Sequence, residues 1–600
     1  LQSFAIAILR GIFINLLIFI PMFVAIVYIL AAQAYPRITW LESWPRSDAF
    51  PILFACGLGI ATILLLAFFS YAIFSVNIRQ YDFNMRRYAH VWQGRLLTIA
   101  LALIVLGLTP LLYNWLHSNF QHWWKEAISS ITLTGVISLV SGWIGRTSSS
   151  ETKGAVAWLL RIGLLLLLFG LLLWLYHYVL YLHRSNQQEL FGFPQSSWLV
   201  LFGVFVSVGT GLLSNVNLVS MHRYYRDRLM EAYMPEFTEN GTKPSFKKSD
   251  KCYLKEIKQT SAPYHIINTN MVTVGSQNPK YRARGGDNFV FTPEFVGSEA
   301  TGYVSTKDYE FGQMNLATAF AISGAAVDPN TGATRSRPLA FIMTLLTVRL
   351  GYWIRNPNRS RRLPEALSKL LSRPFWHLYI LREMFGWGMD ENRCYLHLSD
   401  GGHFENLGLY ELVRRRCRYI IVADAGADPN WTYGDLARAC ELIRADFCTH
   451  LVINTQPIHP DNDSHLSHQP CTLGKIYYED GGESTILFLK TTGFPNLPED
   501  IYGYKRTHPS FPDCRPLYLR EQDSGRDLCG EMAYSTRKDK TLGEITKNQK
   551  RLMTPGAGNA SSIPPYSYCC SLRQRVDLSM PNASATIFLL PWNCAISLLM

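Results

Sequence analysis

Long apolar stretches separated by short polar ones fill the first third of the chain. Runs near 10–33, 51–76, 97–117, 127–145, 156–182 and 197–217 are each long enough for a hydrocarbon core of about 30 Å, which takes about 20 residues of helix. The pattern predicts a membrane region over 1–220 with six transmembrane helices. The fourth run is broken up by Ser129, Ser130, Thr132, Thr134, Gly135 and Ser138, so a re-entrant or interfacial segment is the alternative there.

Beyond 220 the pattern changes. MHRYYRDRLMEAYM (221–234) has one apolar helical face and clustered bases, which suggests a helix close to an anionic lipid surface, and the polar stretch up to 262 reads as linker. From 263 to 530, strand-like and helix-like segments alternate. PYHIINTNMVTV (263–274), RARGGDNFVFTPEF (282–295), CYLHLSDGG (394–402), RYIIVADAGAD (418–428) and LVINTQPI (451–458) read as strands. NLATAFAISGAAV (315–327), 361–386 with a break at Pro374, ENLGLYELVRRRC (405–417) and 431–448 read as helices, and KIYYEDGGESTILFLKTT (475–492) as a hairpin about Asp480-Gly481-Gly482. The strand-turn-helix-strand order predicts an α/β domain with a mainly parallel sheet and functional loops at the carboxyl ends of its strands. Residues 531–600 form an irregular tail, whose last apolar run (587–600) is short and interrupted by proline.

Charge sharpens this division. The 600 residues carry 57 Lys and Arg against 45 Asp and Glu, but residues 1–220 hold only 12 and 6 of these. Bases cluster in alternate connections, at Arg79, Arg86, Arg87 and Arg95, at Arg146, Lys153 and Arg161, and at Arg223, Arg226 and Arg228. By the positive-inside tendency the C-terminal domain is then expected in the cytoplasm. No span carries the paired acidic and basic groups of a transport path. The excess of bases is spread over both regions without a basic-aromatic binding module, so no nucleic-acid partner is expected. The 12 cysteines show no metal-ligand spacing, and no metal or cofactor is expected.

The sharpest candidate for chemistry is Asp400-Gly401-Gly402, a carboxylate at the end of an apolar strand where two glycines let the backbone turn tightly, with His403, Glu405 and Asn406 just beyond. An Asx-turn is the structural alternative. Through YLHLSDGGHFENLGLYELVRRRCRYIIVADAGADP (395–429), FAISGAAVDPN (320–330) and MHRYYRDRL (221–229), the chain resembles the membrane-attached bacterial type of patatin-like phospholipase over roughly 221–530. The resemblance implies a patatin-like α/β fold, hydrolysis of lipid or other acyl esters at the inner membrane of a bacterium by a Ser–Asp dyad, and Asp400 as its general base, with Gly401, Gly402 and His403 as supporting residues.

The dyad's serine belongs in a Gly-x-Ser-x-Gly elbow, and these 600 residues contain none. Ser323 lies in a run of alanines without the flanking glycines that an elbow needs, which suits dense packing, and Ser276 and Ser298 have glycine on one side only. The chain also opens at Leu1 inside an apolar run, without an initiator methionine, so the expectation is of the back portion of a larger enzyme whose serine lies upstream. A non-catalytic membrane scaffold is the alternative. Asp424 and Asp428 suit capping or support better than cation binding, and Arg414, Arg415 and Arg416 suit a solvated face, with lipid attraction as the alternative.

Overall fold

A computed structural model describes residues 2–31, 49–74, 83–120, 123–144, 153–185, 189–190, 193–234, 246–257, 264–331, 336–358, 374–426, 428, 430–461, 466–495, 499 and 503. Arg79, Arg146, most of the expected linker, residues 361–373 and the tail from 531 onward lie outside them. The chain divides into two compact units, one of Leu1–Met221, Gly332–Arg349 and Arg373–Trp387, the other of His222–Thr331, Leu350–Ser372 and Gly388–Met600.

The first unit is helical. Its long helices are α1 (Gln2–Ala31), α2 (Phe50–Phe74), α3 (Phe83–Asn119), α4 (Trp124–Ile144), α5 (Lys153–Ser185) and α6 (Gln195–Leu213). Among the described residues, four contain segments long and apolar enough to cross a membrane, Phe4–Ala31, His90–Asn119, Trp158–Leu182 and Gln195–Leu213. Each of the six expected apolar runs overlaps one of these six helices. Helix α2 is apolar along its 25 residues, Ile52–Phe68 among them, and α4 carries hydroxyl side chains along its length. Small residues let the helices approach closely, as at Gly163 of α5, where a Cβ would lie 2.8 Å from Ser138 Cβ of α4. Helices α1 and α6 run side by side, with Tyr28 Oη 2.7 Å from Ser196 Oγ at one end and Ser207 Oγ donating to Ile18 O at 2.6 Å further along.

The same unit takes back two later helices, α9 (Arg337–Leu345) and α10 (Trp376–Phe385), which the sequence pattern had assigned to the α/β domain. Between α6 and α9 in the chain come α7 (Met221–Tyr233) and α8 (Leu316–Ser323), and after α10 come α11 (Leu409–Arg414) and α12 (Gly434–Phe447).

The second unit holds two sheets. Strands β1 (Ile267–Val272), β2 (Gly286–Phe291), β3 (Phe295–Ser298), β4 (Gly302–Ser305), β5 (Tyr352–Arg355) and β6 (Tyr395–Asp400) form a six-stranded sheet in the order β4-β3-β2-β1-β6-β5, with every neighbouring pair antiparallel. Strands β7 (Tyr419–Asp424), β8 (His450–Ile453), β9 (Cys471–Tyr477) and β10 (Glu483–Lys490) form a second sheet, β8-β9-β10-β7, in which only β10 and β7 are parallel. The expected mainly parallel sheet is thus corrected to a mainly antiparallel one. The strand-turn-helix-strand unit over 395–424 puts its two strands in different sheets, so its short helix makes no crossover within one sheet. Phe289, Phe291, Ile322, Leu396 and Leu398 lie in the core of the first sheet, and Leu409, Val422, Leu442, Ile476 and Phe488 in that of the second.

Helix α7 forms over the basic segment as expected and packs one face into the second unit from His222 onward. Tyr225, Arg226 and Leu229 are buried, Arg226 pairs with Asp227 at 2.9 Å and Asp250 at 2.6 Å, and the side chains of Arg223 and Arg228 stay 41% and 42% exposed.

Candidate functional site

Strand β6 is buried along its whole length, flanked by β1 and β5. Alternation puts Leu396, Leu398 and Asp400 on one face and His397 and Ser399 on the other. Asp400 therefore ends an apolar row. Its carboxylate keeps one hydrogen bond among the described residues, accepted by Oδ1 from the Gly402 N–H at 2.7 Å. Burial pushes its pKa up to about 6, against the downward pull of His403 and of that N–H. This is an Asx-turn whose second oxygen is left without a partner among the described residues.

Space is tight at both glycines after it, against backbone at Gly401 and against side chains at Gly402. A Cβ on Gly401 would come within 2.7 Å of Asn268 O, and one on Gly402 within 2.7 Å of Asn406 Oδ1 and 3.2 Å of Asp400 Oδ1. Gly402 is exposed and His403 half-buried, so the turn opens to solvent although the carboxylate is sunk.

Three elements hold the loop beneath Asp400. Ser323 Oγ donates to Asn268 O of β1 at 2.6 Å, Tyr225 Oη of α7 donates to Gly324 O at 2.7 Å, and Asp400 N donates to Ala325 O at 3.3 Å. The Tyr225 phenol is driven well above its usual range by burial, with the Asp400 carboxylate adding to the effect. Ser323 is buried and its hydroxyl is committed to a carbonyl, which is a packing role.

On the opposite face, Asn270 Nδ2 donates to Ser399 Oγ at 3.0 Å, and Ser399 Oγ lies 3.0 Å from His403 Nδ1. Deeper on that face His397 Nε2 lies 2.5 Å from Asp328 Oδ2, both fully buried. Burial would raise the Asp328 carboxyl, but the His397 charge and hydrogen bond bring it below its ordinary value. Gly351 packs so tightly against this pair that a methyl group there would overlap both side chains. Tyr225, Asn270, Ser399, Asp328 and His397 escaped the sequence reading. The one signal for the histidine was its alternation with Ser399 along β6.

The other candidates have structural roles. Ser276 Oγ donates to Glu391 and accepts from the Asn278 N–H, and Ser298 closes a turn with Thr301. Asp424 makes a buried ion pair with Lys490 at 2.9 Å, and Asp428 accepts the N–H groups of Thr432 and Tyr433. Arg414 and Arg415 grip the buried Glu411, and Arg416 pairs with Asp480. Glu405 caps the start of α11 by accepting the Leu407 and Tyr410 N–H groups. No family model matches the chain, and no curated protein does either.

Proposed function

We propose that the second unit is the base-bearing part of a membrane-attached acyl hydrolase, with Asp400 as general base for a serine outside these 600 residues. The observation that carries this reading is a sunken carboxylate, raised to about 6, that keeps an oxygen unpaired beside an exposed glycine turn. A base poised near neutral pH suits proton abstraction from a hydroxyl. The patatin-like resemblance of 395–429 supports the reading through its Asp-Gly-Gly turn and not through the sheet, whose order is mainly antiparallel. The substrate class is a lipid or related acyl ester, since the helical unit keeps the protein at a bilayer. The basic connections favour a cytoplasmic position for the second unit, in a bacterium at the inner membrane.

The absence of a Gly-x-Ser-x-Gly elbow favours a second reading, a non-catalytic membrane scaffold. Expressing the complete reading frame and treating it with a fluorophosphonate probe separates the two. The hydrolase reading expects a labelled serine, and Asp400→Asn is expected to cut ester turnover by at least about a hundredfold. No labelled serine, or turnover unchanged by Asp400→Asn, would overturn it.

A further inference from the structure

Helix α10, packed against α9, carries an inverted polarity. The exposed positions of α10 and its flanks are large and apolar, namely Phe375, Leu378, Phe385 and Trp387, the last 65% exposed. Its acidic residue, Glu383, is fully buried in an ion pair with Arg349 at 3.1 Å, and Arg349 Nη2 also donates to Val216 O at 2.7 Å. A helix washed by water presents the opposite pattern.

Their depth follows from the helices they touch. Helix α6 has 19 residues, so it is about 28 Å long and needs all of that length for a hydrocarbon core of about 30 Å. The His377 ring packs against Gly211 and lies 3.4 Å from Ser207 Oγ. Ser207 is about 9 Å inward from the Leu213 end at a helical rise of 1.5 Å per residue. On the other side, Asn15 Nδ2 of α1 donates to Thr344 O at 3.1 Å and Leu345 O at 2.7 Å, at the carboxyl end of α9. The contacts between Ile18 and Ser207 and between Tyr28 and Ser196 put Asn15 close to the level of Gly211. Both contacts lie inside the slab that α6 defines, about 3–9 Å inward from its Leu213 end, which overlaps the depth of about 5–10 Å typical of helices seated in a membrane interface.

We infer that α9 and α10 form a membrane-embedded interfacial element, with Phe375, Leu378, Phe385 and Trp387 inserted among the acyl chains of one leaflet. The ligand class is bilayer lipid. The surface continues the lipid-facing sides of α1 and α6, where Phe13, Leu212 and Leu213 are likewise exposed. The buried Arg349–Glu383 pair keeps these two charges from hydrocarbon, while Arg337, at the start of α9, is exposed and Arg382 has a long side chain that can reach the headgroups.

The test uses the whole chain in vesicles of phosphatidylcholine and phosphatidylglycerol, with p-benzoylphenylalanine incorporated in place of Leu378 or Trp387. After irradiation, peptide-lipid adducts are quantified by mass spectrometry. Phe202, an exposed apolar residue of α6, is the positive control, and Glu441, exposed on α12, is the negative control. Lipid adducts at both positions are expected to match Phe202 and exceed Glu441 by about tenfold. A yield at either position no higher than at Glu441, or adducts joining two protein chains in place of lipid, would overturn the inference. If a substituted protein aggregates, the same probe at Phe375 takes its place with the same expectation.

Discussion

Replacing Asp400 by Asn removes a buried charge while keeping an oxygen able to accept the Gly402 N–H. A carboxyl normally at 3.8 and held at about 6 in the fold is disfavoured in its charged form by about 3 kcal/mol, at about 1.4 kcal/mol per pH unit. Asp400 is only 6% exposed, so solvent screening takes little from this figure. The folded protein holds the proton more tightly than the unfolded chain. Wild-type stability relative to Asp400→Asn is therefore greatest below about pH 4, falls as the pH rises through about 6, and is flat above about 7. Unfolding followed at several pH values in one detergent, by tryptophan emission or differential scanning, measures the gap between the two proteins. The wild type is expected to lose about 3 kcal/mol against the variant across that window. A gap that stays constant from pH 4 to 8 would refute the link between burial and an elevated carboxyl, and would remove the physical basis for Asp400 as a base near neutral pH.

Two further substitutions probe the scaffold. Gly351→Ala forces a methyl group into the Asp328–His397 pair, and is expected to lower stability by about 3 kcal/mol through overpacking and partial loss of a buried ion pair, read as a fall in thermal unfolding temperature. Gly135→Leu puts a branched side chain against the α5 backbone at Leu167, and is expected to cost about 2 kcal/mol, read as an earlier thermal-aggregation midpoint in detergent, whereas the same change at Gly59, which faces open space, is expected to be silent.

Much of the architecture was legible because hydrophobic length and period are local properties. The apolar runs of α1, α3, α5 and α6, the strand ending at Asp400 and the hairpin of β9 and β10 all follow from them. Pairing partners were not legible. β6 reads as a buried strand whether its neighbours run parallel or antiparallel, and nothing within 395–424 shows that its two strands enter different sheets. Helices α9 and α10 have an amphipathic pattern that leaves open whether the outer face meets water or lipid. In helix α7 the bases Arg223 and Arg228 reach the surface that the sequence suggests, whereas Arg226 is buried, paired with Asp227 and with Asp250, whose place beside it is not local in sequence. At the site, Asp400 and its glycines are contiguous in sequence and the alanine run around Ser323 marks it for packing, whereas Tyr225 and Asn268 arrive from separate elements and leave no local trace of their place beside Asp400.

The ion pair between Lys490 and Asp424 bears on how the chain folds. The two residues face each other at the ends of β10 and β7, 66 positions apart, in the one parallel pairing among the described strands. Contacts that close so long a loop form slowly and compete with misaligned alternatives. Sliding β10 by one residue would turn Lys490 to the opposite face, and sliding it by two would separate the charges, setting Asp424 opposite Phe488 or Lys490 opposite Val422, a state disfavoured by several kcal/mol. Asp424 and Lys490 therefore act as a check on alignment, so that a late and distant strand is held only where its neighbours also fit.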